Sequence, residues 1–373
     1  MLHLITRLPV GGAERLLVDI ARNLPRDRYQ SMVCCIQDRG PLADELEAAG
    51  LRIIELRRMR TKRFDWGAVG ELTALLRKER IALVHAHLYH ANLYGRLAAL
   101  RARVPAIATV HNTYTRTKWH RRLLNRWLAA AGARVIAVSD DIRRDVARYD
   151  GVPEKRITML QNGIDVSRAT SALSREEARR RLGLADDRFV LGCLARLEEQ
   201  KGHRYLLEAL SKTAANVHVL IAGEGRLRGA LEAQAKRLGV AGRVSFLGTR
   251  RDVADILAAL DAYVMPSLWE GLSLSLLEAM AARLPVIATD VGGVSQVAAD
   301  GAWCLRVPPA DAPALAAAIE RLAAESPERR AGLGEQARRR VEDAFSLEAM
   351  LRRLTRLYDE VLEVGSPYGG GGR

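Results

Sequence analysis

The side chains best placed for chemistry in this chain stand just beyond its apolar runs. In PSLWEGLSLSLLEAMAARLPVIATDVGG, Glu270 and Glu278 are separated by seven residues, the first in a loop and the second inside the helical pattern that follows. Carboxylates so placed accept hydrogen bonds from sugar hydroxyls, one for a hexose and one for a ribose. Two glutamates are ordinarily solvated surface charges, but the strand end, the Pro266 turn and Gly271 argue for a built site here. Upstream, LARLEEQKGH sets Arg196 and Lys201 on a loop that leads into a helix. A departing diphosphate needs its charge neutralised, and a forked guanidinium with a point-charge ammonium does this without magnesium. Two glycine turns open helices: Gly11 and Gly12 in PVGGAERLL, and Gly223, Glu224 and Gly225 in AGEGRLRG. Glycine lets backbone approach a phosphate, and the helix start offers free N–H groups. Neither turn is GxGxxG, which weakens a dinucleotide reading.

Two series of strand and helix must hold these groups. Apolar runs alternate with amphipathic stretches along the chain, the pattern of parallel sheets covered by helices. The first series runs from LHLITRL through YQSMVCCI, RIIEL, IALVHAH and PAIATVH to RVIAVSD. The second starts at RFVLGCLARL and continues through VHVLIAG, RVSFLG and AYVMPS to PVIATD. The polar stretch from Asp165 to Asp187 carries no strand pattern and is expected to be the linker. A last helix is expected over LEAMLRRLTRLYDEVLE. The fold class is therefore α/β, with two Rossmann-like domains. Ligands of such open sheets bind beyond the carboxyl ends of the strands, where the residues above stand.

Composition narrows the function classes. The 373 residues are 49% hydrophobic and 27% charged, too apolar for a disordered chain. No apolar run reaches the roughly 20 residues needed to span a bilayer, and the opening MLHLITRLPVGG lacks the marks of a secretory signal. A cytoplasmic protein is expected. Cys34, Cys35, Cys193 and Cys304 have no CxxC spacing and read as reduced core residues. Residues 1–165 carry 29 Lys and Arg against 17 Asp and Glu, whereas 166–373 carry 29 against 27. The basic excess of the first part favours anionic partners. Its segments LRRMRTKRFDW and KWHRRLLNRWL interleave cations with Phe64, Trp66, Trp119 and Trp127, which suits an anionic membrane face. The alternative is a solvated helix with its tryptophans in the core. No RRM, zinc-finger or KH signature supports nucleic-acid binding.

GGAER, ARLxxxKG, GEG, the spaced glutamates and EAMA…PVIATDVGG occur in this order over nearly the whole chain. Together they resemble the retaining GT-B glycosyltransferases of family 4. The resemblance implies an N-terminal acceptor-binding domain over 1–165 and a nucleotide-sugar-binding domain over 166–345. It further implies a helix over 346–363 crossing back to the first domain, with a flexible tail at 364–373. The two parallel sheets are expected to face each other across a cleft. The donor is expected to be a nucleoside-diphosphate sugar, with uridine favoured by the habit of most relatives. The acceptor is expected to be a glycan or lipid-linked hydroxyl, with no metal or other cofactor needed.

Residue by residue, the resemblance makes Arg196 and Lys201 the diphosphate clamp, Glu278 the ribose ligand and Glu270 the ligand of the sugar hydroxyls. Gly11 and Gly12 face the phosphates, and His111 in ATVHNTY contacts the donor sugar. Gly223, Glu224, Gly225, Gly271, Leu272 and Ser273 complete the expected donor site. Where many relatives read EGFG this chain reads Glu270-Gly271-Leu272-Ser273, and Gln296 stands where many have glutamate. His85, His87 and His90 in HAHLYH match no usual zinc spacing and resemble the family's strand end lining the acceptor cleft. Ser139 in VIAVSDDI is expected to cap a helix. A sugar-nucleotide epimerase or a sugar phosphorylase of similar fold is the enzymatic alternative.

Overall fold

The computed structural model describes residues 1–59, 64–112, 119–185, 187–298, 301 and 303–365. From residue 366 onward, the expected tail lies outside them. The chain divides into two compact units, Met1–Gly163 with the segment from Leu347, and Ile164–Ser346.

The first unit alternates strand and helix in chain order: β1 (Leu2–Ile5), α1 (Gly12–Asn23), β2 (Met32–Cys35), α2 (Ala43–Ala48), β3 (Arg52–Glu55), α3 (Trp66–Lys78), β4 (Val84–His87), α4 (Tyr89–Ala102), β5 (Ala106–Val110), α5 (Trp119–Ala130), β6 (Arg134–Ala137), α6 (Asp140–Tyr149) and β7 (Ile157–Met159). Its seven strands are parallel in the order β3-β2-β1-β4-β5-β6-β7. The order reverses between β1 and β4, the switch point at which such sheets bind ligands. Both faces are covered, which is why the strands read as continuous apolar runs. One face packs Leu72, Leu76, Tyr94 and Ala98 of α3 and α4; the other packs Leu17, Val18 and Leu46 of α1 and α2. Ser139 caps α6 by accepting from the Ile142 N–H at 3.3 Å, as expected.

The second unit contains α7 (Arg175–Arg181), β8 (Phe189–Leu194), α8 (His203–Leu210), β9 (Val217–Ala222), α9 (Arg228–Arg237), β10 (Val244–Gly248), α10 (Val253–Ala258), β11 (Ala262–Met265), α11 (Leu274–Ala281), β12 (Val286–Thr289), α12 (Val294–Val297), β13 (Cys304–Val307), α13 (Ala312–Ala324) and α14 (Pro327–Ala344). Its six parallel strands run β10-β9-β8-β11-β12-β13, with the switch between β8 and β11. The final helix, α15 (Leu347–Gly365), packs on the first unit, where Tyr29 donates to Asp359 at 2.8 Å.

The stretch expected to be a linker is instead part of the second unit. Ser174 and Glu177 form a capping box that starts α7. Arg179 then reaches Asp261 at 2.6 Å with both side chains buried, and Asp261 also accepts from the Val190 N–H at 2.7 Å. A buried carboxylate needs such partners. The sequence shows a short charged helix there, but not the aspartate 82 positions away that takes its arginine.

The four cysteines are buried and unbonded. Burial raises the thiol pKa of Cys35, Cys193 and Cys304 to about 12.

Candidate active site

In the second unit, the loops leaving β8, β9, β11 and β12 converge at the carboxyl end of the sheet. The turn after β9 lies against the loop after β8: the Leu197 N–H donates to the Glu224 carbonyl at 3.0 Å, and Leu227 N–H to the Leu197 carbonyl at 3.1 Å. Gly223 makes this approach with φ +145, and any Cβ there would collide with the Ala195 carbonyl. Past β12, Gly292 at φ +56 lies as closely against the Glu270 carbonyl, and the Gly293 N–H donates to Gly271 O at 2.7 Å. Two glycine turns therefore clamp the loops that carry the expected cations and carboxylates.

Lys201 and Glu270 meet directly. The ammonium bonds the Glu270 Oε1, which also accepts from the Ser267 hydroxyl at 2.9 Å. Glu270 is buried and Lys201 nearly so. Leu268 N–H donates to the Gln200 carbonyl at 2.7 Å, and Gln200 Nε2 to the Trp269 carbonyl at 2.9 Å, which fixes the two loops together. Behind them the Thr289 hydroxyl bonds the Ser267 carbonyl at 2.5 Å. Ser267, Gln200 and Thr289 were not singled out from the sequence; Ser267 stands in the PSLWEG segment, but nothing in its spacing marks it as the partner of Glu270.

Arg196 is exposed at the end of β8, and its guanidinium has no ion-pair partner among the described residues. Glu278 sits half-buried on α11. Leu272 is buried, while Ser273 caps α11 by accepting from the Leu276 N–H at 3.4 Å. The chain's departure from EGFG thus supplies a helix cap. Glu224 is exposed and pairs with Arg228 at 3.1 Å.

In the first unit, Gly11 is the N-cap of α1 and has no side chain to cap the helix, and the Glu14 carboxylate of the first turn lies beside Gly11. His111 follows β5 with a half-buried ring nearly parallel to that of His87, the planes 22° apart and the centroids 5.6 Å apart. Its Nε2 is 3.3 Å from Nδ1 of His87. Desolvation lowers the His111 pKa to about 4.

The HAHLYH histidines part company. His90 is exposed on α4, whereas His85 and His87 point from β4 to the face that also carries His3 of β1, directly opposite His85 in register. Ring nitrogens of His3, His85 and His87 lie within 4.8 Å of one another. His85 is already bonded on both sides, to the Tyr358 hydroxyl at 2.6 Å and the Thr109 hydroxyl at 2.7 Å. An ion held there would displace one of these partners. Burial first, then mutual repulsion, holds the pKa of all three well below the usual range. His3 carried no signal of its own in the sequence; only the register of β1 with β4 brings it to the group.

The family model described as Glycosyltransferase Family 4 matches residues 10–168, and that described as Glycosyl transferases group 1 matches 188–325. The alpha-D-kanosaminyltransferase of Streptomyces kanamyceticus is 30% identical over 311 residues, covering 77% of this chain and 79% of that one. The UDP-Gal:alpha-D-GlcNAc-diphosphoundecaprenol alpha-1,3-galactosyltransferase of Escherichia coli is 29% identical over 300 residues, covering 76% and 77%. The crystal structure of Anabaena Alr3699/HepE in complex with UDP superposes with a TM-score of 0.84 at 25% identity, covering 96% of this chain and 99% of that one. The architecture, two parallel-sheet Rossmann-like domains, is that of the GT-B glycosyltransferases. With its ordered motifs and their loops at the carboxyl ends of both sheets, the chain belongs to the group 1, family 4 glycosyltransferases.

Proposed function

We propose that this glycosyltransferase moves a hexose-type sugar from a UDP-sugar to a hydroxyl of a glycan or lipid-linked acceptor, with retention at the anomeric carbon and without a metal. The observation that carries this is the loop assembly of the second unit, where Arg196, the Lys201–Glu270 pair and the start of α11 gather at one end of the sheet. The UDP found with the Anabaena protein and the UDP-galactose named for the Escherichia coli relative support the uridine donor. The latter's diphosphoundecaprenol acceptor supports a lipid-linked one.

In this reading Arg196 and Lys201 neutralise the diphosphate as the anomeric bond loosens, a role suited to preorganised cations in a partly desolvated site. Glu278 holds the ribose and Glu270 the sugar hydroxyls. Glu270 is released to the sugar as Lys201 turns to the phosphate. Gly223, Glu224, Gly225, Gly271, Leu272 and Ser273 line the donor. The amides after Gly11 and Gly12 and the ring of His111 serve as ligands of the donor's phosphate and sugar. The leaving phosphate helps to take the acceptor proton, so no covalent nucleophile is required. Incubation of the protein with UDP-hexoses in EDTA tests this: UDP is expected to appear only when an acceptor is present. Conversion of the UDP-hexose to its epimer with no acceptor and no net UDP points to an epimerase, phosphate-dependent cleavage of a glycan with the UDP-hexose untouched points to a phosphorylase, and a requirement for added magnesium removes the metal-free mechanism.

A membrane-facing acceptor side has a structural basis in α5. Trp119, Leu123 and Trp127, one turn apart, are 74%, 58% and 53% exposed, so the tryptophans are not core residues. Among the described residues, few large apolar side chains are so exposed. Arg121, Arg122 and Arg126 are exposed on the same helix. The opposite side is held by Asn125, which accepts from Arg96 at 2.6 Å and donates to Asp150 at 2.9 Å. An apolar stripe bordered by arginines suits the interface of an anionic bilayer. Co-sedimentation with vesicles rich in phosphatidylglycerol is expected, with roughly 30-fold loss on replacing Arg121 and Arg122 by Ser, at about 1 kcal/mol per cation. No co-sedimentation by the unaltered protein ends the membrane assignment. The helices among the described residues include none long and apolar enough to cross a membrane.

A further inference from the structure

His111 has one ring nitrogen turned inward to His87 and one outward. Nε2 faces Nδ1 of His87 at 3.3 Å. Nδ1 has no partner among the described residues, and the ring is partly exposed, which leaves this nitrogen available to a ligand. The two rings are neutral imidazoles, each with one N–H, and only one proton fits between the facing nitrogens. The position of that proton decides what His111 offers a ligand.

The surroundings of His87 settle it. Its ring is fully buried, and its other nitrogen, Nε2, has no hydrogen-bond partner. If His87 carried its proton on Nε2, a buried N–H would stand without an acceptor, the arrangement that folded proteins most consistently avoid. With the proton on Nδ1, the N–H is used and only a lone pair is left unpaired. His3, also fully buried and with neither nitrogen bonded, brings a ring nitrogen within 4.8 Å of the same group. Its own N–H is better accommodated beside a lone pair than beside a second N–H. Thr109 and Tyr358 occupy both nitrogens of His85, so that ring is not available as the missing acceptor.

We propose that His87 is a positioning residue that donates its Nδ1–H to His111 Nε2 and so fixes His111 as the Nδ1–H tautomer, presenting a hydrogen-bond donor outward to an oxygen of the donor sugar. This rests on the assignment of His111 to the sugar given above. It is the reverse of the tautomer a free histidine side chain prefers, which is why a second residue is needed to hold it. A histidine so held offers an N–H to a hydroxyl or ring oxygen and cannot accept a hydrogen bond from it. The device is a fixed donor of the kind a preorganised site requires, with its orientation supplied from behind.

Two-bond nitrogen–proton correlation spectra of protein labelled with 15N-histidine read the tautomers without any substrate. His111 and His87 are both expected to be protonated at Nδ1. In His87→Leu the His111 proton should move to Nε2 and kcat/KM should fall about 10-fold to 100-fold, the usual cost of losing an orienting partner. His87→Asn, whose amide N–H takes the place of Nδ1–H, should restore most of the activity and the Nδ1–H tautomer. An Nε2–H tautomer for His111 in the unaltered protein overturns the proposal, and the spectrum decides this even where a variant folds poorly. Wild-type turnover in His87→Leu alongside an inactive His111→Ala overturns the positioning role. Wild-type turnover in His111→Ala removes the assignment of His111 to the sugar, a separate failure that the tautomer spectrum does not share.

Discussion

Lys201→Ala is expected to lose about 10²- to 10³-fold in kcat, the usual effect of deleting one group that stabilises developing charge. It should also lower stability by about 3 kcal/mol, because the carboxylate of Glu270 stays buried without its counter-charge. The two effects are separable. In the double variant Lys201→Met, Glu270→Gln no charge is left in the pocket, and Ser267 can still donate to the amide oxygen. Melting should return toward that of the unaltered protein while turnover stays low. Urea unfolding and steady-state rates on the unaltered protein and the two variants check this, and a double variant as active as wild type would place both residues outside the reaction. A single variant of unaltered stability would mean that Glu270 finds other partners.

The second large effect is on stability against pH. His3, His85, His87 and His111 in the first unit and His203 in the second are all shifted downward, chiefly by desolvation, with His111 and His203 lowered to about 4. For a group with its pKa depressed by folding, the unfolded chain binds protons first as pH falls, so stability is full above about 6.5 and is lost toward about 4. A shift of the size shown by buried His203 corresponds to about 3 kcal/mol, and the four grouped histidines add to it in the first unit. Half-buried His111 contributes less than its shift suggests because solvent screens it. The protein should therefore lose several kcal/mol between pH 6.5 and 4. The triple variant His3→Phe, His85→Gln, His87→Asn should flatten that slope. Denaturant unfolding at a series of pH values measures this, and a stability independent of pH over that interval contradicts it.

The fold was legible because parallel strands buried on both faces announce themselves: FVLGCLA, VHVLIAG and PVIATD are apolar runs of strand length with glycine or a polar residue at the exit. The positions of Arg196, Lys201, Glu270 and Glu278 followed, since each was placed by its distance from such an exit. What stayed hidden was pairing between distant segments. Lys201 and Glu270 are 69 positions apart, and nothing in either segment tells that they bond each other. Asp261 looks like an ordinary loop aspartate after VADILAAL until the sheet brings α7 alongside. His3 belongs to the histidine group only through the register of β1 with β4. The tryptophans of KWHRRLLNRWL fit either a core or an exposed stripe by periodicity alone, and only the packing of Asn125 shows which side of the helix is turned inward.

In the proposed function, the second unit holds the nucleoside diphosphate of a uridine sugar donor through Glu278 and the neighbouring cations without a metal. Thermal melting in EDTA against UDP, GDP and ADP tests it most directly, because a ligand bound only by the folded state stabilises by about 2.7 kcal/mol at a hundred times its dissociation constant. UDP is expected to raise the melting temperature, GDP and ADP to raise it less, and Glu278→Ala to abolish the UDP effect. A melting temperature unmoved by every nucleotide, or a UDP effect that survives unchanged in Glu278→Ala, would contradict it.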